Sequence, residues 1–162
     1  MQLNGSCHCG EVTFSLRSVH PYPFNICYCS ICRKTAGGGG YAINLGGEFK
    51  TLQVKGKQSL SVYRAKLSPD DVETSVAERN FCRMCASALW VWDLRWPELI
   101  HPFASAIDTE LPVAPERTHL LLSSKATWVP LNQGDQDRCF DGFPDESLAE
   151  WHERLGLETT SP

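Results

Sequence analysis

The sequence predicts a mainly β domain closed by one C-terminal helix and clamped by metal-binding cysteines. Three observations predict it. Short alternations of apolar and polar residues are separated by turn chemistry, one amphipathic segment lies near the C-terminus, and seven of the eight cysteines fall into three tight clusters. The chain has 162 residues, a length that fits a single domain spanning 1–162.

In residues 10–16, Val12, Phe14 and Leu16 alternate with Glu11, Thr13 and Ser15, the pattern of a half-buried strand. Residues 49–54 and 60–63 read similarly, and Lys55-Gly56-Lys57-Gln58 between them reads as a hairpin turn. Residues 76–81 lead as a strand into the third cysteine cluster, and 89–92 lead out of it. Residues 99–107 and 119–122 carry weaker strand patterns. The run Gly37-Gly38-Gly39-Gly40 favours neither helix nor strand, so it predicts a loop where backbone approaches something closely. No Gly-Lys-Ser or Gly-Lys-Thr follows, which argues against a phosphate loop. Residues 69–73 suit a short helix or an acidic loop. One helix is clear: residues 146–155, capped by Asp145 and ended by Gly156. Its apolar face carries Leu148, Trp151 and Leu155, and Glu150 and Arg154 are spaced to pair on the other.

Composition narrows the function. A net charge of −4 argues against nucleic acid or an anionic membrane as the main partner. No apolar run approaches the roughly 20 residues of a membrane span. The first residues hold neither a basic region nor an apolar stretch, so no signal peptide is expected and the expected compartment is the reducing cytoplasm. There clustered cysteines stay thiols and serve as metal ligands. A disulfide within Cys7-His8-Cys9 would be badly strained, and a cluster of three cannot pair internally.

The clusters are Cys7 and Cys9; Cys27, Cys29 and Cys32; and Cys82 and Cys85. Two cysteines at i and i+2 of extended chain point the same way, and C-x-x-C on a tight turn does likewise. Cys7, Cys9, Cys82 and Cys85 are assigned to one zinc, a closed four-thiolate site that stitches distant strands. Spacing alone also allows Cys82 and Cys85 to complete the other site. Cys27, Cys29 and Cys32 offer three ligands and an open position, suited to binding a thiol or polarising a carbonyl. A second structural site, completed by Cys139, a histidine or a carboxylate, is the alternative. Arg33 and Lys34 follow directly and can face an anionic substrate or simply solvent. Cys139, beside an aromatic, reads as a packed small residue. His8 should point away from the metal its neighbours bind, while His101 and His119 read as hydrogen-bonded structural histidines. His20 and His152 carry no signal. The five tryptophans read as core and rim aromatics, with Trp128 the one that could wall a cleft.

Gly5-Ser6-Cys7-His8-Cys9-Gly10, the run from Cys27 to Lys34 (CYCSICRK) and the run from Phe81 to Trp90 (FCRMCASALW) together resemble the glutathione-dependent formaldehyde-activating enzyme family, a group that includes centromere protein V. The runs from Ser124 to Trp128 and from Phe143 to His152 resemble that family's C-terminal part. The resemblance implies a zinc-stabilised β-tent of antiparallel sheets. It implies a structural zinc on Cys7, Cys9, Cys82 and Cys85 and a catalytic zinc on Cys27, Cys29 and Cys32, two per chain. The implied activity is addition of glutathione's thiol to formaldehyde, giving S-(hydroxymethyl)glutathione, the reverse of a carbon–sulfur lyase. Arg33 and Lys34 would then hold substrate carboxylates. Two positions depart from the family pattern: Ala86 stands where glycine is usual, and Tyr28 stands where histidine is frequent. If position 86 needs positive φ, alanine there is strained by about 1 kcal/mol. The rival reading is a non-catalytic zinc module that binds a protein or small molecule; a zinc–thiolate redox sensor is a third.

Overall fold

The computed structural model describes residues 1–67 and 73–159. In chain order the elements are β1 (Gln2–Ser6), β2 (Thr13–Arg17), β3 (Asn25–Cys27), α1 (Ser30–Thr35), β4 (Ala42–Asn44), β5 (Gly47–Glu48) and β6 (Gln53–Lys55). After these come β7 (Leu60–Tyr63), β8 (Glu78–Cys82), β9 (Ala88–Trp92), β10 (Leu99–Pro102), β11 (Thr118–Leu120), β12 (Arg138–Cys139) and α2 (Leu148–Leu155). The expectation for residues 69–73 falls largely outside the described residues.

The strands form three sheets, ordered β1-β2-β6, β5-β10-β9-β8-β7 and β12-β11-β3-β4. The first two are antiparallel, and the third is mixed because β11 runs parallel to both β3 and β12. The mainly β class with a C-terminal helix therefore holds, with one sheet departing from the antiparallel rule. Among the described residues no helix is long and apolar enough to cross a membrane.

Alternation sets the core as expected in β2, where Phe14 and Leu16 point inward. They pack with Leu3, Leu45, Leu89, Trp90 and Ile100 between the first two sheets, and Cys7 and Cys82 belong to that same buried cluster. Phe14 meets Trp90 edge-on at 5.0 Å between centroids. Leu89 and Trp90 are consecutive yet both buried, which plain alternation forbids. The register explains it: Asn80 pairs with Trp90 but Phe81 pairs with Ala88, leaving Leu89 as a bulge.

Several boundaries differ from the sequence expectations. The strand expected at 10–16 begins only at Thr13, because Gly10 takes φ 79° in the preceding turn. Lys55 to Gln58 is not a hairpin turn. It carries the chain from β6 in the first sheet to β7 in the second, and Gly56 turns there at φ 75° with its α-carbon against the Glu11 carbonyl. Residues 49–51 and 104–106 are single 3-10 turns, so the strands expected there are shorter. Gly40, at φ 90°, meets Val129 and Trp128 where a β-carbon would go, the close approach that the glycine run suggested.

The helix near the C-terminus starts later than expected. Ser147, not Asp145, is its cap, in a capping box with Glu150, and Gly156 ends it at φ 64°. Glu150 is thus occupied at the cap, and Arg154 pairs instead with Glu146 at 2.9 Å and Glu116 at 2.6 Å. Trp151 is fully buried and stacks on Phe24 at 3.7 Å. His152, unmarked in the sequence, is fully buried too. Its Nδ1 donates to the Leu148 carbonyl at 2.7 Å, and the Tyr22 amide donates to its Nε2 at 3.4 Å.

Both ring nitrogens are thereby committed to the neutral form, and burial lowers the His152 pKa from 6.5 to about 4, with nearby His20 adding to the effect. The unfolded chain binds this proton first as pH falls, so the stabilisation is full above pH 6.5 and is lost between pH 6.5 and about 4. Melting temperatures measured across that window should fall with pH, and His152→Gln should remove part of the slope.

Candidate functional site

The turn after β1 and the turn between β8 and β9 bring Cys7, Cys9, Cys82 and Cys85 together, with all four sulfurs within 4.8 Å of one another. Cys7 and Cys9 sulfurs are 3.5 Å apart, and those of Cys9 and Cys82 are 3.8 Å apart. A tetrahedral zinc with bonds of about 2.3 Å spaces its sulfurs by roughly 3.8 Å, so the set fits such an ion. Cys7 and Cys82 are buried, and the Val12 amide donates to the Cys7 sulfur at 3.2 Å. Hydrogen bonds from Ser87, first of several, lower the Cys85 thiol to about 5. Ala86 closes the C-x-x-C turn, donating its amide to the Cys82 carbonyl at 2.8 Å, and its φ is 61°. The position does require the left-handed conformation.

The second group, Cys27, Cys29 and Cys32, also has its sulfurs within 4.8 Å, and no fourth cysteine, histidine or carboxylate joins it among the described residues. Cys27 ends β3, and Cys29 caps α1, its sulfur accepting from the Cys32 amide at 3.3 Å. A cysteine is an unusual cap, which is why sequence reasoning missed this helix. Hydrogen bonds from Cys27, then from Cys32, hold Cys29 down to about 2, while the contact with Cys29 drives Cys27 up. Cys27 and Cys32 are buried and Cys29 is half-buried, so Cys29 is the exposed corner of the triangle. All eight cysteines are free thiols; Cys139 is exposed on β12, apart from both groups, rather than packed.

Tyr28 lies between two of these cysteines but on the opposite face. Its hydroxyl meets His119 Nδ1 at 2.9 Å, and His119 Nε2 lies 3.3 Å from Asp137 Oδ2. Burial resists ionisation of Asp137, yet the Arg117 guanidinium and the Gly134 amide hold its carboxyl well below the usual range. This buried chain braces β3 from behind and explains how tyrosine fits the middle position. His119 and His101, which meets the Leu45 carbonyl at 3.2 Å, are structural as expected.

Arg79 carried no signal in the sequence. It stands on β8 with both terminal nitrogens on the Cys32 sulfur, at 3.8 and 3.7 Å. Only the fold brings it there, 47 residues along the chain from Cys32.

Arg33 and Lys34 occupy the last turn of α1 and line a cleft of about 630 Å³ with Cys7, His8, Gly38 and Asp108. The Arg33 Nε is buried without a hydrogen-bond partner among the described residues. None of the three sulfurs of the second group lines this cleft. A smaller pocket of about 250 Å³ is lined by Arg79, Tyr63, Phe81 and Phe103, and it shares Thr35, Ala86 and Ala88 with the larger cleft. His8 reaches the cleft but neither sulfur group, and exposed Trp128 lies over Gly40, outside both spaces.

A mainly β protein with two thiolate clusters able to hold metal ions is thus defined. The chain belongs to the glutathione-dependent formaldehyde-activating enzyme family, whose profile matches residues 2–123. A Halomonas elongata protein named "Putative glutathione-dependent formaldehyde-activating enzyme" is 65% identical over 158 residues, covering 98% of this chain and 99% of that protein. A solved Rhodobacter sphaeroides protein shares the fold with a TM-score of 0.51 at 24% identity, over 70% of this chain and all of that one.

Because the strain at Ala86 is now located, Ala86→Gly should stabilise the protein. The gain is up to about 1 kcal/mol before glycine's added unfolded-state entropy is subtracted. Calorimetric melting should show a rise of up to roughly 2–4 °C.

Proposed function

We propose that this chain adds a thiol, glutathione or a close analogue, to a small aldehyde such as formaldehyde, and cleaves the S-hydroxymethyl adduct in reverse as a carbon–sulfur lyase. Two zinc ions serve it: one on Cys7, Cys9, Cys82 and Cys85 for structure, one on Cys27, Cys29 and Cys32 for chemistry. The observation that carries this reading is the three-sulfur group with Cys29 at its exposed corner. Family membership and the name of the Halomonas relative support the substrates.

Zinc bound there would keep a coordinated thiol ionised and polarise a carbonyl. The protein's own groups do the rest. Tyr28, His119 and Asp137 brace the strand that carries Cys27. Arg79, reaching over from β8, would offset the negative charge of three thiolates. Arg33 and Lys34 follow Cys32 on α1, about 6–7.5 Å along the axis from Cys29 at 1.5 Å per residue, where they can hold the carboxylates of an extended thiol substrate. The reducing cytoplasm, where these thiols persist, is the compartment that suits the chemistry.

Burial of Cys27 and Cys32, and their absence from the cleft that Arg33 and Lys34 line, favour a second reading, a non-catalytic zinc module. Saturable glutathione binding without acceleration over the uncatalysed addition would select it.

Cys29→Ser should lose turnover and one of two zincs while the fold persists, as measured by metal content, melting and adduct formation; full activity in this variant would sink the proposal. Arg79→Leu should weaken zinc retention at this site alone, by about tenfold in chelator competition.

A further inference from the structure

Formaldehyde brings two heavy atoms and needs little more room than a water molecule, about 30 Å³. The pocket beside the three-sulfur group measures about 250 Å³. An apolar cavity of about 150 Å³ already accepts benzene. The pocket is therefore far larger than formaldehyde requires.

Its walls are also mostly apolar. Tyr63, Phe81, Ala86, Ala88 and Phe103 supply carbon surface. Three polar side chains there are engaged elsewhere. Arg79 turns its guanidinium to the Cys32 sulfur, the Asn80 amide donates to the Glu78 carbonyl at 3.3 Å, and the Thr35 hydroxyl donates to the Ile31 carbonyl at 2.7 Å. What remains facing the space is hydrocarbon.

One wall of the pocket backs onto the sulfurs, although no cysteine lines it. Phe103 is 1% exposed and packs in one cluster with Cys27 and Cys32, against which Ala88 also packs. Thr35, Ala86 and Ala88 are common to this pocket and to the basic cleft of Arg33 and Lys34. The two spaces are thus neighbours, a cationic arm and an apolar arm, with the sulfur group behind the wall of the latter.

We propose that the apolar pocket receives the carbon substituent of the aldehyde, so that the chain acts on aromatic or branched aliphatic aldehydes. The proposal rests on the reading that this site adds a thiol to an aldehyde. In that addition the S–H bond breaks and an S–C bond forms at the carbonyl carbon. The C=O π pair becomes the O–H bond of the product hydroxyl, taking the thiol's proton. The product is an S-(1-hydroxyalkyl) thioether, and nothing is oxidised or reduced. The thiol's carboxylates lie in the basic arm and the new substituent in the apolar one.

The test is calorimetric titration of the zinc-loaded protein with glutathione, S-methylglutathione and S-benzylglutathione, none of which requires turnover. S-benzylglutathione should bind at least roughly tenfold more tightly than S-methylglutathione. Ala88→Leu, which fills the pocket, should bring that ratio close to one. Tyr63→Ala, at the exposed rim, should also reduce it, and it serves should Ala88→Leu fail to fold. Equal affinity for the two thioethers, or a preference untouched by either variant, would overturn the pocket proposal while leaving thiol–aldehyde chemistry standing. Failure of all three compounds to bind would overturn the functional reading together with the proposal.

Discussion

Four sulfur atoms within 4.8 Å of one another join the turn after β1 to the turn between β8 and β9, and the rest of the molecule is arranged around that junction. Cys7 and Cys82 are core residues as well as members of the sulfur group, packed among Leu3, Phe14, Leu89 and Trp90. A β protein of this size has a modest core, and its first two sheets are joined directly at this point. Were a metal bound by these four sulfurs, its affinity and the stability of the fold would draw on one free energy. The left-handed Ala86 belongs to the same constraint: the turn that aims Cys85 tolerates a strained residue because the sulfurs fix its geometry.

From that junction the bulge at Leu89 passes order to the second site. By inserting one residue into β9 it lets Leu89 and Trp90 both enter the core, and the Leu89 carbonyl accepts the Phe103 amide at 3.0 Å. Phe103 in turn packs on Cys27 and Cys32. The second and third sheets therefore meet at one phenylalanine, with the sulfur group on one side and the apolar pocket on the other. Electrostatics follow the same layout, since Arg79 enters from β8 and the Tyr28–His119–Asp137 chain from the opposite face of β3.

The chemistry was more legible in the sequence than the architecture. Close cysteine spacing states which sulfurs can converge, and the alternation of Phe14 and Leu16 states which face of β2 is buried. What escaped is what depends on tertiary context. β1 reads QLNGS, with little strand propensity, and is a strand because β2 pairs along its whole length. α1 is capped by a cysteine whose place in a sulfur cluster hides its role as cap. Gly56 looked like the turn of a hairpin because sequence shows that a chain bends but not which sheet it enters next. Arg79 sits in an ordinary strand and acquires meaning only from Cys32, and His152 is buried because a helix packs back onto the N-terminal segment.

The two sulfur groups differ in how far apart their members lie along the chain, and this separates their histories during folding. Cys27, Cys29 and Cys32 are neighbours, so assembling them costs almost no loop-closure entropy and needs only β3 and one turn of helix. Cys9 and Cys82 are separated by 73 residues, and their meeting closes most of the first half of the protein. The local group can form on a nascent chain, whereas the distant one completes only with the sheets. Sequence change within the short segment can therefore alter the local sulfur group without renegotiating the topology around the distant one.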